Sequence, residues 1–242
     1  MSYSLKYVSP TGMEYEFLNG SDGGPFVEMD TLTGFVGLFE DTPVQSVGVA
    51  GAAVNFQDRV IQQMPGTFTL VVFSREQWEQ VRRDFSTREY GTLILDNDGL
   101  FELSVRLAES LPSPGRVPAV GSRIEVSMVA DVGVWLSRAS STGIVNVTNW
   151  GDVPVWPEIV WSGYDQSVVL PSGSKFQLPR VSTEYRLPLD RRASGKAIGV
   201  ETGIRINTDA LGEMVPVGAT RQFTVTSDAR VEWSVGVLDP WN

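Results

Sequence analysis

Asn149-Trp150-Gly151-Asp152-Val153-Pro154-Val155-Trp156-Pro157-Glu158-Ile159-Val160-Trp161-Ser162-Gly163 holds three of the chain's seven tryptophans, spaced by two prolines and closed by a glycine. Each proline fixes its own φ and pushes the residue before it toward extended backbone, which keeps Val153 and Trp156 out of a helix. Asn149 to Asp152 has the composition of a turn, and Ile159 to Trp161 that of a strand. The stretch reads as a broad turn that delivers the chain into the first buried strands of a second domain.

Downstream of it the pattern is regular. Short β segments are expected at 167–170, 175–178, 183–187, 196–200, 203–207, 221–226 and 230–236, separated by turns such as Pro171-Ser-Gly173 and Ser227-Asp228. Many short strands at roughly 8–12-residue spacing with no helical period read as an all-β sandwich. Just upstream, Ile144 to Thr148 is a short strand, and Ser137 to Gly143 is small and polar. The boundary is placed there, giving domains at 1–137 and 138–242.

The first half opens with two alternating segments, Tyr3–Tyr7 and Met13–Phe17, around the turn Ser9-Pro-Thr-Gly12, a β-hairpin. Segments 27–40 and 44–54 carry Gly34, Gly37, Gly48 and Gly51 and read as bulged or closely approached strands. A strand at 67–73 leads into one helix at about 74–85. Ser74 is its N-cap with Gln77 three residues on, and Trp78, Val81 and Phe85 form an apolar stripe. Glu79 and Arg83 are spaced for an i,i+4 pair. A second hairpin spans 92–107 around Asn97-Asp-Gly99, and a further strand covers 123–128. The fold class is therefore mainly β, two β-sandwich-type domains, the first with one α-helix.

Composition excludes much chemistry. The chain has no Cys and no His, which removes disulfides, thiolate and imidazole metal sites, and the Ser-His and Cys-His nucleophile pairs. No two acids are spaced as a recognisable catalytic pair, and Ser172-Gly-Ser-Lys175 lies in a turn without the partner motifs that would make it a nucleophile. No catalysis, metal or cofactor is expected. Neither a signal core nor a run of about 18 apolar residues occurs, so neither export nor membrane insertion is expected. Net charge is −10, carried unevenly: residues 1–137 hold 9 basic and 18 acidic side chains, the remainder 10 and 11. That balance opposes non-specific nucleic-acid binding. Trp150, Trp156 and Trp161 have two open readings, core packing or a platform for sugar rings.

The run from Val147 to Gly163 resembles the opening of the galectin-like C-terminal domain of siphophage distal tail proteins. Asn149, Gly151, Asp152, Pro154, Pro157 and the closing Gly163 fall on that family's pattern, with Trp156 inside it. Leu189-Asp190-Arg191-Arg192 resembles a later element through Asp190 and Arg192, and a closing strand runs into Pro240-Trp241. The leading hairpin, single helix and second hairpin also fit, so the resemblance covers nearly the whole chain. Two departures stand out. The Pro-Tyr-Trp element at the domain junction is reduced to Val134-Trp135, and the galectin sugar site needs a histidine that this chain lacks.

The resemblance implies a virion structural protein of the phage tail tip or baseplate, made in the host cytoplasm. It implies a homo-oligomeric, hexameric ring built by a tail-tube-like first domain around a channel through which genome DNA passes without specific binding. Implied partners are the tail tube protein, the tail-tip hub and tape-measure proteins, and receptor-binding proteins docked on the galectin-like domain. The alternative is a carbohydrate-binding module that recognises host surface glycans through the second domain.

Overall fold

The leading hairpin forms where alternation predicts it. β1 (Ser4–Val8) pairs antiparallel with β2 (Glu14–Glu16), with Tyr7 opposite Tyr15. The turn closes through the Ser9 N–H to Met13 O (2.8 Å) and the Gly12 N–H to Ser9 O (3.0 Å). The structure is a computed structural model that describes residues 3–18, 24–45, 48, 50–55, 59–113 and 121–241. It is mainly β, and the chain divides into two units, Met1–Trp135 with Leu238–Asn242, and Leu136–Val237.

In the first unit the described residues of the long glycine-studded region make two-residue ladders: β3 (Phe26–Val27), β4 (Thr33–Gly34), β5 (Phe39–Glu40), β6 (Pro43–Val44), β7 (Ala53–Val54) and β8 (Val60–Ile61). The sequence reads 27–40 and 44–54 as bulged or closely approached strands, and the described residues there pair only in these short pieces. The glycines and Pro43 cut them short because each removes side-chain packing or a ladder donor. β9 (Met64–Val72) then runs nine residues and leads into α1 (Arg75–Asp84). Ser74 caps it by accepting from the Gln77 N–H at 3.3 Å, and Gln77 Oε1 accepts from the Phe73 N–H at 2.7 Å, one residue earlier than a capping box requires. Trp78, Val81 and Phe85 are buried as the stripe predicts. Glu79 pairs with Arg75 at 2.7 Å, and Arg83 instead donates to Gln80 Oε1.

β10 (Gly91–Asp96) and β11 (Leu100–Leu107) form the second hairpin in full register, with Leu93 opposite Leu103. β12 (Ser122–Ala130) pairs with β9 over its whole length. The sheet order is β2-β1-β10-β11, with β12, β9, β3 and β4 continuing from β11. Rings from both parts meet in the core: Tyr7 lies 4.5 Å from Phe85 and 5.9 Å from Phe17, which lies 4.9 Å from Phe68.

In the second unit, β13 (Trp135–Thr142), β14 (Ile144–Thr148), β15 (Glu158–Gly163), β16 (Ser167–Val169) and β17 (Lys175–Gln177) are followed by β18 (Val181–Pro188). β19 (Lys196–Gly199), β20 (Arg205–Asn207), β21 (Thr220–Val225) and β22 (Ala229–Val237) complete it. One sheet runs β13-β22-β15-β18-β19-β20 and the other β14-β21-β16-β17. Their facing side chains make one core: Val145, Phe223, Val168 and Phe176 from the smaller sheet meet Ile159, Trp161, Leu187 and Val231 from the larger. That is a β-sandwich, and alternation along each strand explains it.

The sequence assigns Pro240 and Trp241 to the second domain; the structure packs them with the first unit. The Asn97 side-chain amide donates to Pro240 O at 3.0 Å, and the Gly37 N–H donates to Leu238 O at 2.7 Å. The Trp241 ring stands edge-on to Trp135 at 6.2 Å and to Tyr3 at 5.6 Å. These partners lie far away in sequence, so nothing local signals the return.

Candidate functional site

The turn before β15 is closed by one side chain. Asn149 is 0% exposed. Its amide nitrogen donates to Val153 O (2.9 Å) and Val215 O (3.0 Å), and its Oδ1 accepts from the Gly151 N–H (3.1 Å). A side-chain amide that bonds its own backbone two residues on is the local chemistry that makes Asn a turn former. Gly151 is needed for space: a Cβ there would sit 2.2 Å from Gly236 O. The Asp152 N–H donates to that same carbonyl at 2.8 Å, while the Asp152 side chain is exposed. Pro154 is exposed, Pro157 is buried, and Pro157 O accepts from the Leu189 N–H at 3.0 Å. Between the prolines Val155 bridges to Val215.

The three tryptophans part company. Trp161 is 1% exposed, its ring 6.0 Å from Tyr185, and its Nε1–H donates to Pro179 O at 2.9 Å. Trp150 is 56% exposed. Trp156 is half-buried and lines a surface cleft. The three therefore do not form one platform. Gly163 follows a register shift in β15 and adopts φ +85°, the left-handed conformation glycine tolerates. Asp190 caps a 3-10 turn at Arg191–Ala193 and accepts from Arg192 through both the backbone N–H (2.9 Å) and the guanidinium (2.8 Å to Nη2). Those bonds hold the Asp190 carboxyl below its usual range. Trp241 belongs to the first unit, as described above.

The cleft at Trp156 has a volume of about 620 Å³ and lies over the outer face of the larger sheet of the second unit. Register puts Glu158 beside Glu232 and Val160 between Arg186 and Arg230, so these side chains share that face. Arg186 bridges the two carboxylates, with Nη1 to Glu158 and Nη2 to Glu232 at 2.9 Å. Arg230 continues the chain to Glu232 (2.6 Å) and Glu184 (2.7 Å). Burial alone would lower the Arg186 guanidinium, but its bonds to Glu158 and the charges of both glutamates hold it above its usual value. The bond from Arg230 holds the Glu184 carboxyl down. None of this network was legible from sequence, because it depends on which strands become neighbours. The alternation of Glu158 with Ile159 on β15 was the one available hint.

A second polar cluster lies in the first unit. Asp84, 1% exposed at the end of α1, accepts from Thr11 Oγ1 (2.7 Å), Gln80 Nε2 (2.7 Å) and the Tyr15 hydroxyl. Burial would raise its carboxyl, but these bonds and the Arg83 charge outweigh it and hold it below the usual range. Burial and the Asp84 carboxylate push the Tyr15 hydroxyl up. Asp84 thus ties the helix to the leading hairpin. Among the described residues no group of three or more Asp or Glu side chains is placed to hold a metal ion. The Ser172 hydroxyl donates to Glu213, and Lys175 is exposed on β17.

In fold this chain is similar to solved phage hub and baseplate proteins. It is similar to the SPP1 Dit protein, described as a paradigm of the hub adsorption apparatus in phages that infect Gram-positive bacteria. That match has 11% identity and a TM-score of 0.62 over 98% of this chain and 100% of that one. Chains of the phage P2 baseplate in its activated conformation, with Ca and with Sr, match with TM-scores of 0.58 and 0.59 at 13% and 12% identity. Each covers 97% of this chain and 98% of the other. No protein-family model and no curated protein sequence matches.

Proposed function

We propose that the chain is a non-catalytic structural component of a bacteriophage tail tip. In this reading it forms a closed ring, a hexamer, through heterologous contacts between copies. The first unit is the tail-tube-like ring builder around the DNA channel, and the second is a galectin-like dock for receptor-binding or other tip proteins. The tail tube, hub and tape-measure proteins are its other partners, and the virion tail tip its location. One observation carries the reading. The match to the SPP1 Dit protein spans both units and essentially the full length of each chain, so the shared feature is a whole architecture and not one common sandwich.

Charge supports the channel assignment: the half given to the ring is the acidic half, and a channel that lets DNA slide should not hold phosphates. The motif residues support a structural role, since Asn149, Gly151 and Pro157 are engaged in closing the turn and Trp161 in the core. The glycan reading in its three-tryptophan form loses support for the same reason. The test is native mass spectrometry and negative-stain imaging of the purified protein, alone and with its tail partners. Six-fold rings are expected. A strict monomer at high concentration that is also absent from tail tips would overturn the reading, as would a ring whose lumen is lined mainly by arginines.

A further inference from the structure

We infer that a small cleft at the C-terminal end of α1, within the first unit, is a binding site for a phosphate group, free or at the end of a small monoester. The cleft has a volume of about 210 Å³, room for one such group and below the size of pockets that hold a drug-sized ligand. Phe85, Leu107 and Leu111, all buried, supply its apolar lining. Its two sides are tied to each other. The Leu107 N–H donates to Ser86 O at 2.8 Å, and Arg82 Nη1 donates to Pro112 O at 3.2 Å, so the helix end and the segment after β11 are held around the space.

Every polar side chain on the wall can donate. Arg82 spends one N–H on Pro112 O and lies over the Trp78 ring at 5.3 Å, which steadies the guanidinium and leaves its other N–H groups without a partner among the described residues. The Arg88 side chain has no hydrogen bond or ion pair among the described residues. Ser86 Oγ already accepts from the Arg88 N–H (3.0 Å) and the Glu89 N–H (3.1 Å), so its hydroxyl is left to donate. Thr87 and Ser110 add two more hydroxyls. No carboxylate lines the space: Glu89 and Glu109 adjoin it only in sequence, and Asp84 is engaged by Thr11, Tyr15 and Gln80. Yet this half of the chain holds 18 acidic and 9 basic side chains, so the cleft inverts its surroundings. Charge and shape decide the ligand class. Two guanidiniums carry two positive charges, against about half a negative charge from the end of the helix dipole, so an anion is favoured. Two planar forks and three hydroxyls suit a tetrahedral group with three free oxygens, whereas a carboxylate offers two and leaves donors unused.

The inference goes beyond the tail-tip reading and does not depend on ring formation, so its test is read on the full-length chain whatever its oligomeric state. The indole Nε1 resonances of the ¹⁵N-labelled protein are followed at constant ionic strength during titration with inorganic phosphate, with glycerol phosphate as the monoester, with dimethyl phosphate as the diester, and with chloride as the control. Phosphate and the monoester are expected to move the Trp78 resonance saturably, because the Arg82 guanidinium lies over that ring, with half-saturation at about 0.1–10 mM. The diester, with fewer free oxygens and less charge, should bind about tenfold more weakly, which keeps the site compatible with the passage of a diester-linked genome. Arg88→Gln leaves the Trp78 reporter in place and should weaken phosphate about tenfold, and Arg88→Lys by less, since the charge remains. Arg82→Gln, followed by calorimetry because it removes the reporter contact, should weaken it likewise. Arg205→Gln, in the second unit, should leave binding unchanged, and an unchanged Trp135 resonance certifies that each variant's first unit is folded. No saturable shift, an equal shift with chloride, or a response not weakened by Arg88→Gln would overturn the inference. So would a diester bound as tightly as phosphate, or a loss on Arg205→Gln.

Discussion

Replacing Asn149 with alanine removes two donated hydrogen bonds, to Val153 O and Val215 O, and the acceptor of the buried Gly151 N–H. Val215 O keeps the Val155 N–H, so its loss is partial. Two net hydrogen bonds at about 1 kcal/mol each, and an orphaned amide at about 1–3 kcal/mol, give a cost of about 3–5 kcal/mol. A unit of this size has a total stability of about 5–15 kcal/mol. One side chain therefore carries a large share of it, and the melting temperature of the second unit should fall by about 15–30 °C. The assay is urea unfolding read at the Trp161 indole resonance, which reports the second unit. Asn146→Ala is the control: it removes an exposed amide pair with Gln222 and should cost less than about 0.5 kcal/mol. If Asn149→Ala cost under about 1 kcal/mol, or no more than Asn146→Ala, the turn would not be what holds the strand entry in place.

Two further outcomes follow from the first unit. The depressed Asp84 carboxyl contributes stability that is present above its unfolded value, about 3.9, and lost as pH falls through its lower folded value. The wild-type first unit should therefore weaken below about pH 4, and Asp84→Asn should flatten that acid limb while lowering stability at neutral pH; an unchanged acid limb in pH-dependent urea melts would contradict this. Ending the chain at Val237 removes the Leu238 and Pro240 carbonyls and the Trp241 ring, all of which serve the first unit. It should destabilise that unit by about 3–5 kcal/mol, seen at the Trp135 indole resonance; a shift at Trp161 instead would refute the placement of the C-terminal residues.

Local patterns carried the fold a long way. Alternation found both hairpins of the first unit and most strands of the second, because a half-buried strand writes its burial into every other residue. The Ser74 cap and the Trp78-Val81-Phe85 stripe found the helix. Long-range choices were not legible. The glycine-studded segments 27–40 and 44–54 read as bulged or closely approached strands, yet which backbone they pair with cannot be read from their own residues. Arg75, not Arg83, won Glu79, since the helix offers two partners at equal spacing. The candidate cleft was half legible: Trp156 drew attention as an aromatic, while Arg186, Glu158 and Glu232 come together only through strand order.

The C-terminal residues make the second unit an insertion. Chain leaves the first unit after Trp135 and re-enters it at Leu238, so both ends of the second unit are tethered. The strands that carry those ends, β13 and β22, are neighbours in one sheet. While the insertion is folded, the first unit closes a short gap. Were it to unfold, the first unit would have to close a flexible loop of roughly a hundred residues, at about 4 kcal/mol. Damage to the second unit is thereby transmitted to the first through chain entropy. Two splice points carried by neighbouring strands also make the sandwich exchangeable for another module at a single place in its host.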